Sequence, residues 1–281
     1  MKRTLALATA LVLSGSVLVG TAAAAPIAGP RTPSAGSTVA AGEPVLIAGT
    51  AANGESGDVT GVDITFDGGA TWSPTEYGGE RWLYRHTPAA EGPVTYHLRA
   101  SGSQGPGAVT GPYHFFAGGS AEPPALGCSS CPLFLPALPD RPTVADADQA
   151  AVELGLRLSF DRPGFVAGAT IHRGAYTGPL TVHLWSADGA LLAQAVSAAE
   201  PYVSTVTFPS RVPVVAGREY VVSYFTPAGG YASTEDYFTG AVVIAPHTMA
   251  KSAGVYAYGG GFPTETWHDS NYWVQPRFEL S

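Results

Sequence analysis

The sequence predicts an all-β chain built of two β-sandwich domains, and three observations carry that prediction. With 35 Gly, 24 Pro and only 13% charged side chains in 281 residues, the composition suits short strands joined by many turns. Apolar and polar residues alternate with a period of two along several stretches, as they do in half-buried strands. The length is ample for two cores of ordinary size and a stretch for one.

Residues 1–25 are expected to be a signal peptide. Lys2 and Arg3 precede an apolar run from Leu5 to Val19, and the small residues Ala22, Ala23, Ala24 and Ala25 follow, with cleavage expected close to Ala24 or Ala25. The apolar run is shorter than the roughly 18 residues of a membrane-spanning helix and is broken by Thr9, Ser14 and Ser16. No cysteine near the cleavage site offers a lipid attachment. The expectation is a secreted protein, extracellular or cell-surface associated, without membrane insertion after cleavage. Losing the two basic residues Lys2 and Arg3 takes the net charge from −8 to −10. Phosphate backbones and anionic lipid repel such a chain, which argues against nucleic acid or membrane surfaces as partners.

Residues 26–119 form the first predicted domain. A Pro-, Gly- and Ser-rich entry leads to a strand at 44–48. Val62, Ile64 and Phe66 then alternate with Asp63, Thr65 and Asp67, and Asp67-Gly68-Gly69 supplies the positive-φ positions of a tight hairpin. Trp82 and Tyr84 mark the apolar face of the next strand, Val94, Tyr96 and Leu98 that of another, and 112–116 is the last before Gly118-Gly119. Short strands separated by Gly and Pro turns over about 90 residues predict an immunoglobulin-like sandwich. The run Val62-Asp-Ile-Thr-Phe-Asp-Gly-Gly-Ala-Thr-Trp72, with Trp82-Leu-Tyr84 and Tyr96-His-Leu-Arg-Ala100, also resembles bacterial extracellular immunoglobulin-like domains. Those accompany many secreted enzymes and serve molybdenum-cofactor oxidases as a dimerisation domain. The resemblance covers most of residues 30–118 and implies a spacer, docking or dimerisation role without chemistry.

Residues 120–145 read as a linker, broken by Pro123, Pro124, Pro132, Pro136 and Pro139. It holds the two cysteines of the chain, Cys128 and Cys131, which in an exported protein are expected to form a disulfide. So short a loop contributes about 2 kcal/mol, enough to staple a turn. A redox pair would open a helix beside a strand, and a zinc site would need further cysteines or histidines nearby.

Residues 146–281 form the second predicted domain. Val152, Leu154, Leu156, Leu158 and Phe160 alternate with Glu153, Gly155, Arg157 and Ser159. Further strands are expected at 166–173, 180–185, 191–197, 203–208, 219–225, 241–244, 254–258 and 272–279, with Asp188-Gly189 as a hairpin turn. About nine strands imply two packed sheets in a jelly-roll-like sandwich. Helix is limited to a short turn at 146–150.

An ordered series of motifs runs through this half of the chain. It comprises the cysteine pair, Val152-Glu-Leu-Gly-Leu-Arg-Leu158, Leu184-Trp185, Asp188-Gly-Ala-Leu-Leu-Ala193, Val206-Thr-Phe208, Ala216-Gly217, Tyr220-Val-Val-Ser-Tyr-Phe225, Gly230-Tyr231, Tyr237-Phe238, Gly254-Val-Tyr256, Tyr258-Gly259, Phe262-Pro263 and Asn271-Tyr-Trp-Val274. In that order they closely resemble domain-of-unknown-function family 4082, a module of secreted bacterial proteins often found beside immunoglobulin-like domains. The resemblance covers about 128–281 and brings no established activity. The chain departs from the family pattern at Ile171-His-Arg173, Tyr176-Thr-Gly178 and Gln275.

No Gly-x-Ser-x-Gly elbow, His-Glu-x-x-His pair or helix-opening Gly-x-Gly-x-x-Gly occurs. The seven histidines form no metal-binding spacing, and Gly259-Gly260-Gly261 reads as a flexible loop. Glu235, Asp236, Glu265 and Asp269 read as solvated loop acids. They would suit a calcium ion, although no compact calcium-loop motif is present, or a pair of hydrolytic carboxylates. The aromatics of 254–277 remain. Sugar rings present apolar C–H faces that stack on aromatic side chains, with polar neighbours binding the hydroxyls. Tyr256, Tyr258 and Trp267, with Asp269, Asn271 and Arg173, form the predicted ligand-binding set, Trp267 being the least strand-like. Tyr272 and Trp273 could extend that set, and the competing reading is that these aromatics fill the sandwich core, with Val255, Tyr272 and Val274 or their neighbours as its members. The function expected is that of a secreted, non-catalytic module without cofactor or metal, recognising an extracellular polysaccharide or cell-envelope polymer. The alternative is a structural or protein-interaction module, with a protein partner or a homo-oligomer, and a cryptic hydrolase is the third reading.

Overall fold

The computed structural model describes residues 25–52, 59–78, 81–103, 105–119, 126, 130–133 and 144–281. The expected signal peptide (apart from Ala25) and Cys128 lie outside the described residues, so the expected cross-link reaches beyond them from Cys131. The described residues form strands, turns and bends with no helical segment. The chain is all-β, and the stretch at 146–150 is a non-helical loop in which the Asp146 and Asp148 carboxylates accept the N–H groups of Asp148 and Ala150.

Two sheets make the first sandwich. One is ordered Ile27–Thr32, Val45–Ala52, Arg81–His86 and Glu76–Gly78. The other is ordered Thr38–Val39, Gly105–Ala117, Gly92–Gly102, Val59–Thr65 and Ser73–Pro74. Gly68 and Gly69 take positive φ at the expected turn. There the Asp67 carboxylate accepts the Thr71 hydroxyl and N–H. Alternation puts Ile47, Ile64, Trp82, Tyr96, Leu98 and Phe115 between the sheets, all buried.

Two sheets, one of four strands and one of seven, make the second sandwich. Ser130–Pro132, Val274–Leu280, Gly164–His172 and Val203–Val214 form one sheet. Ser130–Pro132 falls inside the Pro-rich stretch, yet it pairs with Val274–Leu280 and places Cys131 in the core. The opposing sheet runs Leu191–Val196, Thr181–Ser186, Glu219–Thr226, Val152–Phe160, His247–Met249 and Val242–Ile244, with Gly254–Tyr258 also paired to Val152–Phe160. Gly189 at φ 85° turns the hairpin that Asp188-Gly189 announces.

The far side of Val152–Phe160 is covered as well. Residues 259–263 fold back so that Phe262 packs on Trp185 and Val255, and Pro263 comes over Gly155. The three glycines of that loop, at φ 78°, 92° and 96°, permit the reversal. Glu153, which the alternation alone would send to solvent, is thereby buried. It takes the Ser223 hydroxyl and the His183 ring nitrogen on one carboxylate oxygen, while the Trp185 indole donates to Ser223.

The sandwiches share their boundary. Leu46, Ala48 and Leu83 enter the core of the second, while Val243 enters that of the first. Backbone bonds Leu46 N to Ala241 O and Ala241 N to Pro44 O, both 2.8 Å, and the Arg85 Nε to Thr239 Oγ1 bond of 2.7 Å stitch the contact.

Candidate functional site

The site begins with Gly254–Tyr258. Its antiparallel register sets Tyr258 opposite Val152 and Tyr256 opposite Leu154. Successive side chains alternate, so Tyr256 and Tyr258 share one face while Val255 is buried on the other. Gly254 has to be glycine, because a Cβ there would lie 1.8 Å from the Ser270 carbonyl oxygen. That close approach brings Ser270 and Tyr272 against the strand.

Two further segments close around it. Thr234 and Asn271 exchange backbone hydrogen bonds, and the His268 and Asp269 carbonyls accept the N–H groups of Asp236 and Phe238 at 2.7 Å. Asp236, His268, Asp269 and Trp273 all adopt left-handed φ between 43° and 58°, a region costly outside glycine. The cross-links hold them there. On the opposite side Asp146 N donates to Tyr231 O, Gly230 N to Asp148 O and Gly259 N to Ala151 O.

Together these segments enclose a cavity of about 350 Å³ at one end of the sandwich. Val152 and Leu154 form its base, and Tyr231, Tyr256, Tyr258, Tyr272 and Trp267 its aromatic wall. Polar groups come from Asp146, Asp148, Glu235, Ser233 and Ser270. Tyr256 makes edge-to-face contacts with Tyr258 at 5.6 Å and Tyr272 at 6.4 Å, and Tyr231 meets Tyr272 at 6.0 Å. Tyr258 and Trp267, 57% and 52% exposed, stand at the mouth.

The rim aromatics are fixed by carboxylates. The Tyr258 hydroxyl donates to Asp148 Oδ2 at 2.8 Å, and that bond, ahead of burial, pushes the phenol pKa up to about 12. The Trp267 indole donates to Glu235 Oε1 at 3.1 Å and its ring stacks on His268 at 4.2 Å. His268 Nδ1 lies 3.1 Å from Glu235 Oε2, and these two contacts, the histidine first, hold the Glu235 carboxyl below its ordinary range. Deeper in, burial raises the Tyr231 and Tyr272 phenols, with Asp146 and Asp148 adding to the rise at Tyr231. The buried Ser270 Oγ makes no well-formed hydrogen bond, although it lies near enough to the Tyr272 phenol to oppose that rise.

Of the six residues singled out in the sequence, Trp267, Tyr258 and Tyr256 come together on the cavity, and Asp269, Asn271 and Arg173 do not line it. Asp269 takes the Ser252 hydroxyl. Asn271 is buried and its Oδ1 accepts the Trp273 N–H at 2.8 Å. Arg173 donates to the carbonyls of Gly178 and Glu200, tying two loops together, and burial lowers its pKa. Of the four acids weighed for hydrolysis, Glu235 alone lines the cavity. Among the described residues no three His, Cys, Asp or Glu side chains converge as a metal site. The residues that sequence reasoning missed are Asp146, Asp148, Tyr231, Ser233 and Ser270. Advance signals were the turn-forming Asp146-x-Asp148 pattern and the place of Tyr231 in the Gly230-Tyr231 motif.

Residues 138–274 match the family model DUF4082, a domain of unknown function. The match spans the cavity lining from Asp146 to Tyr272 and takes in the motifs from Val152 to Val274, with the cysteine pair lying before it. No curated protein matches the chain. Among solved structures, the chain is similar to one describing the promiscuous specificity of carbohydrate-binding modules from the β-sandwich superfamily. The identity is 11% and the TM-score 0.27, over 74% of this chain and 98% of that one. It is also similar to SGBP-B of the Bacteroides ovatus mixed-linkage glucan utilization locus, in complex with a mixed-linkage heptasaccharide, at 9% identity and TM-score 0.21. That alignment takes in 69% of this chain and 50% of the other. Likenesses this distant assign neither a site nor a ligand to the DUF4082 region.

Proposed function

We propose that the protein is a secreted, non-catalytic binding module whose DUF4082 region recognises an extracellular glycan in the cavity between Tyr258 and Trp267. The observation that carries this is the pairing of an aromatic wall with hydrogen-bond acceptors in one open cavity of about 350 Å³. That size lies within the range of about 300–1,000 Å³ usual for small-ligand sites. Aromatic faces match the C–H faces of pyranose rings, and carboxylate and serine oxygens accept sugar hydroxyls. Tyr258 and Trp267 are held by Asp148 and Glu235 before any ligand arrives, which reduces the side-chain entropy lost on binding. The first sandwich, sharing core residues with the second, serves in this reading as a rigid support.

Affinity electrophoresis and calorimetry of the full chain against a panel of soluble polysaccharides test the proposal. Tyr258→Ala and Trp267→Ala are each expected to weaken binding about tenfold or more, equivalent to ~1.4 kcal/mol. Binding to no polymer, or binding that both substitutions leave unchanged, would sink the idea.

A further inference from the structure

The charged side chains lining the cavity are of one sign only. The lining contributes three carboxylates, from Asp146, Asp148 and Glu235, and no Lys, Arg or His. Asp146 accepts a hydrogen bond from Asp148 N through Oδ1, and no described residue donates to its second oxygen. Asp148 accepts from the Tyr258 hydroxyl and Glu235 from the Trp267 indole, and His268 Nδ1 lies 3.1 Å from the other Glu235 oxygen. The buried Ser270 hydroxyl has no well-formed partner among the described residues, and it too can accept.

Aromatic faces carry the negative end of the ring quadrupole, so rings and carboxylates act in the same direction here. Both attract a cation, and aromatic cages of this composition are a general solution for binding ammonium groups. Burial first, and then the charge of Asp146, raises the Tyr231 phenol pKa, while a hydrogen bond to Asp148 raises that of Tyr258. A neutral sugar would use only the acceptor capacity of the site, and a uronic acid would be repelled by it. A protonated amino sugar combines an apolar ring face, hydroxyl donors and a positive charge.

We infer that the cavity selects a glycan carrying free amino groups, a chain of ammonium-bearing pyranoses, over neutral or anionic polysaccharides. This rests on the glycan-binding reading above and adds the charge of the ligand to it. The acids then have separable roles: Asp148 and Glu235 orient aromatics as well as supply charge, whereas Asp146 supplies charge without holding a rim ring.

The test uses the full chain and calorimetry at a pH below the pKa of the sugar amine. The probes are a glucosamine oligosaccharide, its fully N-acetylated counterpart, a neutral gluco-oligosaccharide, polygalacturonate oligomers and ethanolamine. The free-amine oligosaccharide is expected to bind about tenfold or more tightly than its N-acetylated form. That advantage should shrink as salt is added and should fall in Asp146→Asn, whose amide oxygen can still accept the Asp148 N–H. Equal or tighter binding of the N-acetylated or neutral chain, lost with Trp267→Ala, would overturn the amine preference and leave the glycan reading standing. Ethanolamine binding as tightly as the oligosaccharide would overturn the sugar component. No binding by any probe would overturn both.

Discussion

Trp273→Ala is expected to destabilise the protein by about 3–5 kcal/mol, the cost of truncating a fully packed indole. Trp273 is 5% exposed. Its ring meets Tyr237 at 5.8 Å and His172 at 5.9 Å edge-on, and its Nε1 donates to Thr234 Oγ1 at 2.9 Å. Thr234 is the residue that exchanges backbone bonds with Asn271, so the indole braces the clasp behind Ser270 and Tyr272. Alanine would leave a cavity, an unpaired threonine hydroxyl and the same left-handed backbone at φ 58°. Trp273→Phe, which keeps most of the volume and loses the donor, should cost about 1–2 kcal/mol. Urea unfolding followed by fluorescence and circular dichroism measures both. A loss below ~1 kcal/mol for the alanine variant would show that the indole is not the brace described.

Stability is also expected to fall steeply between about pH 6.5 and 4 because of His247. This ring is fully buried between Phe160 and Phe278, with centroids at 5.5 and 6.0 Å. Its Nδ1 lies 3.2 Å from the Ile244 carbonyl and so carries the hydrogen, leaving Nε2 buried and without a partner among the described residues. Burial, opposed in part by the Ile244 bond, lowers the pKa to about 4. Through that interval the unfolded chain binds a proton that the folded one refuses. Stability is therefore complete above the unfolded pKa and declines as pH falls toward the folded one, by roughly 3 kcal/mol in all. His86 and His172, also lowered by burial, act with the same sign. His247→Gln should flatten most of the slope in urea midpoints taken across this range. An unchanged slope would assign the acid sensitivity elsewhere.

Much of the architecture was legible because it rests on local rules. Asp67-Gly68-Gly69 and Asp188-Gly189 announce their turns through the φ values they adopt, and the alternation in Val152–Phe160 names its own core face. Trp267 stood out because Thr-Glu-Thr-Trp-His-Asp has no strand pattern, and it is exposed at the cavity mouth. The partners of the aromatics were not legible. Asp148 meets Tyr258 only through the pairing of Val152–Phe160 with Gly254–Tyr258, a contact 110 residues apart in sequence. Asp269 and Asn271, although beside Trp267, are turned into the protein by left-handed backbone at 268–269 and by the Thr234 clasp. Composition cannot reveal a carbonyl 1.8 Å from where a Cβ would stand, which is what makes Gly254 part of the site.

The most direct test of the aromatic cavity as a glycan site is a crystal structure of the full chain soaked with the tightest-binding oligosaccharide. The expected result is a pyranose ring stacked on Tyr258 or Trp267, with its polar groups on Asp146, Asp148 or Glu235. An ordered sugar seated elsewhere on the protein, with this cavity empty, would contradict it.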